Sequence, residues 1–174
     1  MKTKISQLLI IVFTVLLFII GCKKNNNNDD NVMPPYSETG AKMLAFKANG
    51  AVWKYERYLS FMASLVVSLN NKGSFYVSAS KKDGSIIQFS IPEGVNDTGI
   101  YLLDIKINKD IYTYFRWENQ SWKYYSLDST HTGFIQINKL DTIKRIVAGK
   151  FEINMIGKND EEMKITEGQF DISY

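Results

Sequence analysis

From residue 42 onward the chain is written in short runs of β-branched and aromatic residues separated by turn residues. Lys42–Ala48 and Ala51–Arg57 flank Asn49-Gly50, whose tolerance of positive φ makes it the strongest short hairpin signal in the sequence. Leu65–Leu69 and Ser74–Ser80 flank Asn70-Asn71-Lys72-Gly73, and Ser85–Ile91 runs between Lys82-Asp83-Gly84 and Pro92-Glu93-Gly94. Tyr101, Leu103, Ile105 and Ile107 alternate with Leu102, Asp104 and Lys106, which predicts a strand over Ile100–Ile107. Phe151, Ile153 and Met155 alternate with Glu152 and Asn154, and Phe170, Ile172 and Tyr174 repeat the pattern at the end of the chain. Gly168 interrupts that last strand as a bulge glycine would. No stretch sustains a helical period, and the single helix candidate is a short one around Tyr58–Ser64. About ten short strands with hairpin-length links predict one all-β domain, an antiparallel β-sandwich or an open or closed meander barrel. It is expected to occupy residues 42–174.

The pattern before residue 42 is different. Leu8–Ile20 is an apolar run interrupted only by Thr14, with Lys2 and Lys4 before it and Lys23-Lys24 after it. Crossing a bilayer takes about 20 apolar residues, so the run reads as the core of a cleaved secretory signal over residues 1–21. It ends in Ile19-Ile20-Gly21-Cys22. An aliphatic residue three before a cysteine and a small one directly before it resemble the lipobox of bacterial lipoproteins. That resemblance implies cleavage between Gly21 and Cys22 and a lipid on the Cys22 sulfur, hence a tethered protein and not an embedded one. Residues 22–41 carry four successive asparagines (Asn25–Asn28), then Asp29-Asp30 and Pro34-Pro35, and bury nothing by themselves. They are expected to form the lipidated cysteine and a flexible linker.

Charge and cysteine count then exclude several chemistries. The chain has 21 basic and 18 acidic side chains, and two of the basic ones, Lys2 and Lys4, fall within the signal, leaving a net charge of +1. A nearly neutral domain offers no electrostatic footprint for nucleic acid. With Cys22 acylated no thiol remains, which removes disulfides, zinc–thiolate sites and cysteine catalysis. His131 is the sole histidine and sits between strands, too little for a zinc site. Neither a Gly-x-Ser-x-Gly elbow nor a phosphate-cradling glycine loop occurs. No cofactor is expected.

Phe46-Lys47-Ala48-Asn49-Gly50 followed by Trp53, the stretch Val147–Glu152, and the ending Ile165–Tyr174 resemble the opening and close of small secreted lipoproteins of the Bacteroidetes type. Those proteins carry an all-β domain of unknown function. The resemblance implies a cell-envelope protein of the outer membrane, on its periplasmic or its surface side, and brings no catalytic residues.

Glycoside cleavage needs only two carboxylates, and Asp104, Glu118, Glu152 and Glu167 lie in or beside predicted strands. Charged residues on strands are mostly solvated, so a hydrolase is the weaker reading. Lys158–Glu162 reads as a polar hairpin tip whose oxygens could hold a weak cation. The segment that stands apart is Ile111–Tyr125, with seven aromatic residues. If Glu118–Ser121 is its loop, Trp117 opposes Trp122 and Phe115 opposes Tyr124 on a core face. Tyr112, Tyr114, Arg116, Lys123 and Tyr125 would then share the exposed face, a composition enriched at binding surfaces. The expected role is a non-catalytic binding or structural module for a glycan or an envelope protein. A lipocalin-like barrel carrying a small apolar ligand is the alternative, and it requires a closed sheet around a cavity.

Overall fold

Alternation becomes one strongly curled antiparallel sheet in the computed structural model, which describes residues 31–57, 65–119 and 121–174. The side chains of 118, 119, 121 and 122 lie outside that description. So do the signal sequence, Cys22 and the helix candidate at 58–64. No helix among the described residues is long and apolar enough to cross a membrane.

The strands are β1 (Met43–Ala48), β2 (Ala51–Lys54), β3 (Leu65–Leu69), β4 (Phe75–Ser80), β5 (Ile86–Ile91), β6 (Gly99–Leu103), β7 (Tyr112–Asn119), β8 (Ser121–Ser126), β9 (Gly133–Asp141), β10 (Ile146–Gly157) and β11 (Glu162–Ser173). The sheet has two arms. One runs β2-β1-β11-β10-β9-β6 and the other β8-β7-β5-β4-β3. They join at the end of β10, where Ile156 pairs with Ser126 and Gly157 with Tyr125. The result is a half-barrel whose arms face each other across one core, not a plain meander: β1 pairs with β11, and β6 leaves its neighbours to pair with β9.

Aromatic rings fill the space between the arms. Phe46 packs on Phe115 at 5.5 Å between centroids, Phe89 on Phe151 at 5.1 Å, and Phe75 on Phe170 at 5.9 Å. Trp53 stacks on Phe46 at 4.8 Å and satisfies its indole N–H by donating to Ser85 Oγ at 2.8 Å. Such rings supply most of the buried apolar area of a small core.

Three expectations are corrected. The strand predicted over Ile100–Ile107 stops at Leu103. Asp104 turns the chain there: its carboxylate accepts the Lys106 N–H and its carbonyl accepts the N–H groups of Ile107 and Asn108, leaving Ile107 exposed. The bulge near Gly168 exists, but Glu167 takes the left-handed conformation, at φ 52°. Gly168 is needed for clearance, since a Cβ would lie 2.7 Å from the Phe151 ring. Finally, the linker ends earlier than residue 41. Gly40 and Thr39 donate their N–H groups to Asp171 at 2.6 and 2.9 Å, Lys139 donates to the Glu38 carbonyl at 2.8 Å, and Asn138 donates to the Tyr36 hydroxyl at 3.1 Å. Residues 34–40 are therefore a strap lying on the sheet.

Candidate functional site

The β7–β8 hairpin carries most of the chemistry predicted from sequence, and its register decides what each residue can do. Pairing runs Phe115↔Tyr125, Arg116↔Tyr124 and Trp117↔Lys123 and closes at Asn119↔Ser121. The expected loop at Glu118–Ser121 implied Phe115↔Tyr124 instead. Because side chains alternate, this slip of one residue turns all of β8 over. Tyr125 points inward and is buried, while Tyr124 points outward and is half exposed. Gly157 explains the choice. It pairs with Tyr125, and a Cβ there would lie 2.8 Å from the Tyr125 ring, so only glycine lets that ring lie flat against β10.

The predicted platform is thus split. Tyr112, Tyr114 and Arg116 stay on the outer face, joined by Tyr124; Lys123 and Tyr125 belong to the inner face, at the open mouth of the half-barrel. Tyr76 also belongs outside, since Tyr76, Ser90 and Tyr112 form one row across β4, β5 and β7. The next row is Ser78, Gln88 and Tyr114, and Gln88 donates to Ser78 Oγ at 3.2 Å. Tyr112 and Tyr114 lie 6.4 Å apart with planes 13° from parallel, and Tyr114 and Tyr124 lie 5.8 Å apart. Arg116 is braced by donating to the Gly84 carbonyl at 2.7 Å. Partial burial raises the pKa of Tyr112 and Tyr114, so both phenols stay neutral hydrogen-bonding groups at physiological pH. Sequence reasoning missed Tyr76 and Tyr124. Tyr76 was legible in the alternation of β4, and Tyr124 was hidden by the register.

On the inner face Lys123 donates to both carboxylate oxygens of Glu161, at 2.9 and 2.8 Å, and Tyr125 donates to one of them at 3.3 Å. The hydrogen bond to Glu161 raises the Lys123 pKa, and the same bond lowers that of Glu161. Beside this cluster is a pocket of about 330 Å³ walled by Trp117, Tyr125, Met163, Ala48 and Ala51.

Most of the other candidates disperse. Asp104 is occupied at its turn. Glu167 pairs with Lys47 at 2.7 Å and shares a shallow outer cleft of about 290 Å³ with Glu152. Asp128 accepts from the backbone N–H of His131 and contacts its ring Nδ1 at 2.7 Å, and these bonds hold the Asp128 carboxyl far below its usual range. Lys158–Asp160 forms a single 3₁₀ turn, and Glu161 beyond it is engaged by Lys123. Among the described residues no three histidine, cysteine, aspartate or glutamate side chains gather as a metal site.

No protein-family model, curated protein or solved structure matches this chain.

Proposed function

We propose that the protein is a cell-envelope lipoprotein, held to the outer membrane through lipid on Cys22, whose β domain is a non-catalytic binding module for a glycan. The observation that carries the reading is the outer face of β4, β5, β7 and β8. Phenol rings there, Tyr112 and Tyr114 near-parallel and Tyr124 tilted 38° to Tyr114, lie beside the hydroxyl and amide groups of Ser78, Gln88 and Ser90. A sugar ring has C–H faces that stack on aromatic surface and a rim of hydroxyls that needs donors and acceptors, so this mixture fits it at low entropic cost. The filled interior favours a surface binder over a carrier, because the rings between the arms occupy the space an apolar ligand would need. Asp104 is held at its own turn and Glu167 is paired with Lys47, which favours binding over hydrolysis.

Electrophoresis of the full chain, in a non-glycosidic detergent, through gels containing defined polysaccharides tests the platform. Retardation by at least one polysaccharide is expected, and Tyr112→Ala with Tyr124→Ala should abolish it. Equal mobility of native and doubly substituted protein in every gel overturns it. The anchor is tested separately: Cys22→Ser should move the protein from the membrane to the soluble fraction.

A further inference from the structure

We infer that the pocket at the mouth of the half-barrel is a second, separate site that takes a single pyranose ring. The inference rests on the glycan reading only for the class of ligand; its walls and polar end belong to other residues. Trp117 lines the pocket, its ring plane 89° from that of Phe115 and the two centroids 5.6 Å apart, which brings an indole into the wall. Met163 and the buried ring of Tyr125 complete an apolar lining, and Ala48 and Ala51 leave the volume open where larger side chains would close it. About 330 Å³ lies at the small end of ligand cavities, room for one ring and not for an oligomer.

The polar end is built in advance. Lys123 and Tyr125 line the pocket and both converge on the Glu161 carboxylate. Ammonium, carboxylate and phenol together present donors and acceptor lone pairs side by side, the pattern that vicinal hydroxyls satisfy. A free anion would have to displace Glu161 from Lys123, and a free cation would meet the ammonium, so a neutral hydroxylated ring suits the cluster better than either. Tyr125 cannot swing away, because it lies between Phe115, at 6.4 Å, and the bare backbone of Gly157. The site is therefore preformed, which spares the ligand the cost of ordering it.

The probes are methyl α- and β-pyranosides of glucose, galactose and mannose, titrated at millimolar concentration into the full chain and followed by the Trp117 indole and Met163 methyl resonances. At least one should shift both saturably. Ala51→Leu, which fills the pocket from an exposed edge-strand position, should weaken that binding about tenfold. Lys123→Met should do so too, while Tyr112→Ala with Tyr124→Ala should leave it unchanged. Absence of saturable shifts with every probe overturns the inference, as does unaltered affinity in Ala51→Leu with a native spectrum. Pyranoside binding that persists when polysaccharide gels show no retardation would sink the tyrosine platform alone; the reverse pairing of results would sink this pocket alone.

Discussion

The two outer faces of this sheet are made of the same kind of strand and have opposite fates. On the β1–β11–β10–β9 arm the outward positions Ala45, Ala148 and Asp171 are fully buried, because residues 34–40 lie across them. On the β4–β5–β7–β8 arm the outward positions carry Tyr76, Tyr112, Tyr114 and Tyr124, with Tyr112 and Tyr124 about half exposed. Where the chain covers its own sheet it uses small residues and one carboxylate aimed at backbone N–H groups. Where no described residue covers the sheet it keeps large rings partly in water. The inner faces of the two arms meet through the phenylalanines, so the strap and the tyrosines lie on opposite sides of the domain.

The largest effect should come from Asp171. Burial alone would raise its pKa, but hydrogen bonds from Ser37 and from the N–H groups of Thr39, Gly40 and Ala41 outweigh it and the pKa is lowered. Asp171→Ala should cost about 3 kcal/mol, because it orphans those donors under the strap. Urea unfolding measures the loss, and limited proteolysis should cut within 31–41 while the sheet stays intact. The same carboxylate sets a pH dependence. With a folded pKa below the unfolded one, its contribution is complete above about pH 4 and is lost as the pH falls through the folded value. Exchange protection of the Thr39 and Gly40 amides should therefore collapse in acid, and in Asp171→Asn it should be weak at every pH. The strap also meets Lys139, which donates to the Glu38 carbonyl, and Lys150, which lies 5.6 Å from the Tyr36 ring. Ala148→Leu should come next, at about 1–3 kcal/mol, by overpacking the space beneath the strap. Matching urea midpoints for Ala148→Leu and native protein would mean that the strap does not press on the sheet.

Much of this architecture was legible from alternation. The hairpin at Asn49-Gly50, the stop at Pro92 and the final strand fall where the pattern placed them. What failed is instructive. Ser37, Thr39 and Gly40 look like linker because their partner, Asp171, is more than a hundred residues away, and composition carries no record of a distant carboxylate. Ile105 and Ile107 continue the alternation of β6 although the backbone has already turned at Asp104, since period two can persist in sequence beyond the last ladder bond. At the candidate site the composition was right and the faces were wrong. Seven aromatic residues announce the β7–β8 hairpin, but only its pairing register decides which of Tyr124 and Tyr125 is buried, and that register agrees with the close approach of the Tyr125 ring to Gly157 across the sheet.

The smallest change in stability should accompany the largest change in binding, and that is the sharpest contrast between the two faces. Tyr112 and Tyr124 keep about half their area in water, so replacing either with alanine should cost about 1 kcal/mol, the scale of a cross-strand ring contact. A tyrosine kept only to stiffen the sheet would lose stability and nothing else. A tyrosine kept as part of a platform would lose retention on polysaccharide while the urea midpoint barely moves. Tyr125→Phe supplies the control on the opposite face of the same strand: it removes the hydroxyl that meets Glu161, leaves the ring against Gly157, and should not alter polysaccharide retention. If Tyr112→Ala and Tyr125→Phe change retention equally, the hairpin acts as one structural unit and the separation of its two faces has no functional meaning.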